Sequence, residues 1–197
     1  MNEEQVNDLL LQSLEHEKGG IQVYETALKC VINDDLREEW EKYLEETRNH
    51  DRILTEVCEQ VGLDSEQASP GRLVVKKMGA SLVAAMNEAL TAGSPEGAQL
   101  VACECVVLAE TKDHLDWELI GKCAEKIGGS KGKTLKAAYD EIEDQEDEHL
   151  YHSKGWCREL WIESLGMKAV LPPPEERKDV KTAIGAARAE QASEKDR

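Results

Sequence analysis

Four stretches of this chain repeat apolar residues at alternating steps of three and four, and each seam is interrupted near its middle by ionisable residues. The first seam reads Leu10, Leu14, Glu17, Ile21, Tyr24, Leu28. The second reads Leu36, Trp40, Tyr43, Thr47, His50, Leu54, Val57, Val61. The third is Leu100, Cys103, Val107, Glu110, His114, Trp117, and the last is Leu135, Tyr139, Ile142, Glu146, His149, Ser153, Trp156, Leu160. This spacing puts each seam on one face of a helix. The expected fold is therefore all-α, with four long helices burying their seams against one another. An unpaired charge taken out of water is costly, so four interruptions at one level need a shared partner. A pair of divalent cations meets that need, because it neutralises carboxylates and accepts imidazole nitrogen.

Start and stop signals bound the helices. The first runs from about Glu4 to Val31 and stops near Asn33-Asp34, which also begins the next, from about Leu36 to Val61 before Gly62. Ser69-Pro70 places an N-cap before a Pro at the first helical position and opens a shorter segment, Arg72 to Thr91. Ser94-Pro95 repeats the signal for a helix reaching about Ile127. After Gly128-Gly129-Ser130 a final long helix covers Lys133 to Leu165, stopped by Gly166 and Pro172-Pro173-Pro174. Residues 1–170 read as one helical bundle, and residues 171–197 as a charged arm or tail, partly disordered. Helices one and two weakly repeat in three and four. Glu17 and Tyr24 correspond to Glu110 and Trp117, and Leu36, Trp40 and His50 correspond to Leu135, Tyr139 and His149.

Composition narrows the function. A formal charge of −17 disfavours nucleic acid and anionic lipid and attracts cations. No apolar run is long enough to span a bilayer, and the acidic start MNEEQVND lacks the basic residues of a secretory signal, so a cytoplasmic location is expected. The six cysteines, Cys30, Cys58, Cys103, Cys105, Cys123 and Cys157, show no CxxC pair and read as buried thiols. Gly128 to Thr134 imitates the end of a phosphate-binding loop. It lacks the first glycine, which falls on Ile127, and the preceding strand, and reads as an interhelical connection.

The sharpest motif is Glu146-Asp147-Glu148-His149, an ExxH with both ligand types one turn apart on one helix face. With Glu17, Tyr24, His50 and Glu110 before it, and a crossover segment between the second and third long helices, the order resembles the ferritin-like superfamily, nearest to rubrerythrin-type diiron-carboxylate proteins. The resemblance covers residues 8 to 165. It implies a four-helix bundle with a crossover helix and two iron ions, with manganese as the alternative. It also implies oxidase, peroxidase or iron-handling activity toward dioxygen or peroxide, with an external electron donor. It assigns Glu17 and Glu110 as single carboxylates, Glu146 and His149 as one ExxH, and His50 as the histidine of the other.

The chain departs from that pattern at Thr47, where a Glu is expected three residues before His50. Glu46 stands one residue off, roughly 100° around the helix. His114, four residues past Glu110, is a substitute ligand. The metal set is then Glu17, His50, Glu110, His114, Glu146 and His149. One firm and one weak ion, or a metal-free bundle serving as a binding or structural module, also remain open. His16, Glu104 and His152 read as surface residues, as does Asp113 by default, although Glu104 and Asp113 are alternatively outer partners of an imidazole and His152 an outer ligand or proton relay. Pairing along helix faces would make the protein a homodimer.

Overall fold

The computed structural model describes residues 1–196, and they form an all-helical fold. The helices are α1 (Glu3–Cys30), α2 (Asp34–Gln60), α3 (Pro70–Ala92), α4 (Pro95–Lys126), α5 (Gly129–Ser164), α6 (Pro174–Arg177) and α7 (Ala183–Asp196). Among the described residues no helix is long and apolar enough to cross a membrane. The expected caps are in place: Asn33 accepts a hydrogen bond from the Leu36 amide, Ser69 from Arg72 and Ser94 from Gly97. Each side chain satisfies an amide that the first helical turn leaves unpaired.

The long helices close a ring in the order α1–α2–α5–α4, so α1 faces α5 across the centre and α2 faces α4. Ring neighbours run antiparallel: residue 17 meets 117 while 24 meets 110, and residue 43 meets 152 while 50 meets 145. Helix α3 lies outside the ring over α1 and α4, parallel to α1. Gly19 and Gly79 face each other where α1 and α3 meet, and a Cβ on Gly79 would stand at ordinary contact distance, 3.5 Å, from the Gly19 Cα. Arg72 fastens the start of α3 through Glu15 at 2.7 Å and also holds the carbonyls of Ser65 and Gln67.

Inside the ring the core has two apolar halves. One gathers Tyr24, Leu36, Trp40, Tyr43, Val106 and Trp156. The other gathers Leu10, Leu14, Leu54, Trp117, Ile120, Leu135 and Ile142. The ionisable interruptions fall at the level between them. The cysteines are free thiols, four buried and two half-buried.

Two boundaries differ from the sequence reading. The break before α5 is shorter, with the helix resuming at Gly129. Gly132 packs so tightly there that a Cβ would lie 1.7 Å from the Ile127 carbonyl oxygen, and Gly129 takes a positive φ of 74°. The C-terminal segment, read as an arm, is folded against α5. Arg158 grips Glu175 with two N–H donors at 2.7 and 2.9 Å, and Ser193 donates to Glu159 at 2.6 Å. Arg197, the end of the expected arm, lies outside the described residues.

Candidate metal centre

Five of the six expected ligands converge at the polar level: Glu17 from α1, His50 from α2, Glu110 from α4, and Glu146 and His149 from α5. None is more than 3% exposed. They form two groups sharing one carboxylate, Glu17–His50–Glu146 and Glu110–Glu146–His149, each offering three ligand atoms within 4.8 Å of one another. The two imidazoles stack with centroids 5.7 Å apart.

Each side chain is held from behind by a partner that leaves another atom aimed inward. Trp117 donates to Glu17 Oε1 at 2.9 Å, and Tyr24 donates to Glu110 Oε1 at 2.8 Å. His50 donates from Nε2 to Gln145 Oε1 at 2.7 Å, and His149 from Nε2 to Glu46 Oε2 at 2.8 Å. Fixing one ring nitrogen as a donor turns the other toward the site, and a carboxylate behind it raises the ring's basicity. The inward atoms Glu17 Oε2, His50 Nδ1, Glu110 Oε2, both Glu146 oxygens and His149 Nδ1 are buried and have no hydrogen-bond partner. His50 Nδ1 faces Glu146 Oε1 at 2.9 Å, and His149 Nδ1 faces Glu110 Oε2 at 3.6 Å. A nitrogen lone pair and a carboxylate oxygen at such distance repel unless a proton or a cation lies between them.

Without an ion, protons do this work. Burial, then the charges of Asp113 and Glu110, push Glu17 well above the usual carboxylate range, against the Trp117 hydrogen bond. Burial, then Asp113, Glu110 and Glu17, do the same to Glu146. Burial acts to raise Glu110 as well, but His149 and Tyr24 outweigh it and hold Glu110 low. Burial acts to lower His149, yet Glu110 and Glu46 lift it to about 9. His50, buried and beside His149, falls to about 4.

His114 lies outside the ring. Four residues turn the helix about 40° past a full turn from Glu110, so its side chain points to α5 and donates to Asp147 at 2.7 Å. Thr47 is buried, but its hydroxyl donates to the Tyr43 carbonyl at 2.8 Å. Three residues read as surface positions are not exposed. His16 is half-buried and donates to the Ala109 carbonyl at 3.0 Å. Asp113 is buried beside the ring, and its carboxyl is pushed well up by burial and Glu110. His152 is buried, its Nδ1 3.0 Å from Glu39 and 3.1 Å from the Tyr43 hydroxyl. Glu39, Glu148 and His152 form a third acidic group, but Lys42 and Lys181 already serve Glu148 there. Glu104 is exposed.

The sequence reading missed Glu46 and Gln145 as the partners that orient the two histidines. The signal was available: each stands four residues before the opposite histidine, in register with the internal repeat. Fold and site together define an all-helical protein with buried carboxylate–imidazole groups able to hold metal ions. Compared with protein-family models, curated proteins and solved structures, the chain matches none.

Proposed function

We propose that this chain is a ferritin-like, rubrerythrin-type protein that holds two divalent first-row metal ions, iron or manganese, and serves in oxidase, peroxidase or iron-handling chemistry. The observation that carries this reading is the set of inward, buried, unpartnered oxygen and nitrogen atoms on Glu17, His50, Glu110, Glu146 and His149. Carboxylate and imidazole donors suit iron and manganese. Glu17, His50 and Glu146 would hold one ion, and Glu110, Glu146 and His149 the other. Charge also closes: three carboxylates leave two divalent ions with one positive charge over, and Glu46 behind His149 balances it. The carboxylate absent at Thr47 thus returns one residue earlier, in a supporting position. When bound, such ions supply a Lewis acid and, for iron, a redox couple toward dioxygen or peroxide. Electrons for turnover would come from a donor outside this bundle, since among the described residues no cysteine joins a metal-binding group.

A metal-free bundle is the second reading, favoured by the upward shifts of Glu17 and Glu146, which let protons neutralise the layer. Metal content separates the two. Protein purified from iron- or manganese-supplemented cells should carry about two ions per chain by elemental analysis, and a Glu146→Ala/His149→Ala variant should carry far less. Equal trace metal in both would leave the metal-free bundle as the function of this fold.

A further inference from the structure

A buried metal site needs a way in. Between α4 and α5 lies a cavity of about 100 Å³ whose lining includes Glu146 and Trp117 on the inside and His114, Glu118, Glu143 and Asp147 toward solvent. Glu118 and Glu143 are exposed, while the side chains of His114 and Asp147 are 25% and 20% exposed. Glu146, at the inner end, is 1% exposed, and neither of its oxygens has a hydrogen-bond partner. Tyr139 forms part of the wall: its ring fills the place where a Cβ on Gly121 would lie, and its hydroxyl donates to Glu143. One recess therefore leads from two surface carboxylates, past a carboxylate–imidazole pair, to the residue shared by both ligand groups.

Resting on the reading of the ring as a metal site, we propose that this cleft is the port through which a divalent cation enters and leaves, with His114 and Asp147 holding the ion in transit. Acidic residues at a low-dielectric cleft concentrate cations and raise their capture rate. A neighbouring imidazole and carboxylate, 2.7 Å apart and partly hydrated, can exchange their mutual hydrogen bond for bonds to a passing ion. Glu146, which lines the same cavity, belongs to both ligand groups and so links the cleft to the buried layer. The cleft also gives His114 a role that its exclusion from the ring would otherwise leave empty.

The test uses the full chain and Co²⁺, whose visible absorption reports coordination, with stopped-flow mixing for uptake and an EDTA chase for release. In His114→Ala/Asp147→Asn, uptake and release should both slow by roughly tenfold while the dissociation constant stays within about twofold, as for a step that steers passage. Glu143→Lys, which reverses charge at the mouth, should slow uptake at low salt and lose that effect at high salt. Wild-type rates in both variants would overturn the port. A dissociation constant that weakens through faster release would overturn it too, making His114 or Asp147 a ligand. If the wild-type chain binds no Co²⁺, the metal-centre reading itself fails and takes the port with it.

Discussion

Tyr24 and Trp117 do more than fill the core. Each stands seven residues beyond a carboxylate on its own helix and donates to the carboxylate of the other: Tyr24 to Glu110, Trp117 to Glu17. The exchange follows from α1 and α4 running antiparallel, which sets each aromatic level with the neighbour's acid. Removing either donor strands a buried oxygen with no replacement. Tyr24→Phe and Trp117→Phe should each lower the stability of the metal-free protein by about 1–3 kcal/mol, read from urea unfolding midpoints. Manganese should restore part of that loss, because an ion takes over the carboxylate. Unchanged midpoints in both variants would mean that these bonds do not orient the acids. The carboxylates and aromatics were legible because each lies on a regular seam. The inward turn of His149 was legible too, while His114, about 40° further round than a full turn from Glu110, was read onto the same face. Spacing of four is tolerant enough to include a residue that belongs to the neighbouring helix pair, and only the position of α5 decides it.

At the scale of elements, α2 and α5 mirror one another with one exchange. Before His50 stand Glu46-Thr47, and before His149 stand Gln145-Glu146, so charged and neutral members trade places. In α5 the carboxylate points into the ring. In α2 it stands behind His149, and Thr47 turns its hydroxyl to the backbone. Glu46 therefore acts on the ring through His149. Burial alone would lower His149, and Glu110 and Glu46 together lift it to about 9. In Glu46→Gln the titration of His149, followed by NMR in the metal-free protein, should move down toward the ordinary value of 6.5. A titration unmoved by the substitution would assign the whole upward shift to Glu110. Helix limits were read from caps and proline positions to within a few residues for α1 to α4, because those signals are local. The start of α5 was read late, because Gly128-Gly129 looks like a loop, whereas the helix begins at Gly129 with a positive φ.

The whole molecule is two apolar halves joined by one ionisable layer, with a C-terminal segment folded along α5. That last feature was illegible, since charge in the tail reads as solvated until Arg158 and Glu159 on α5 are seen to meet it. The layer makes stability depend on pH and metal together. Glu17 and Glu146 have folded-state values above the ordinary 4.5, so the metal-free fold binds more protons than the unfolded chain and loses stability as pH rises through that range. His149, raised to about 9, contributes stability that is complete below 6.5 and is lost as pH climbs through about 9. His50, lowered to about 4, acts in the opposite sense, but only between about 4 and 6.5. Glu110 and Glu46, both held low, lose their contribution only as pH falls below 4.5. Above pH 6.5 the metal-free protein should therefore soften steadily. A bound ion must displace the proton on His149, so its affinity should rise over the same interval. The gap between melting temperatures with and without manganese, at one fixed metal concentration, should widen from pH 6.5 to 8.5, since each tenfold gain in affinity adds about 1.4 kcal/mol of stabilisation. A gap that stays flat or narrows as pH rises would show that metal, if it binds, does so without displacing the protons that hold this layer together.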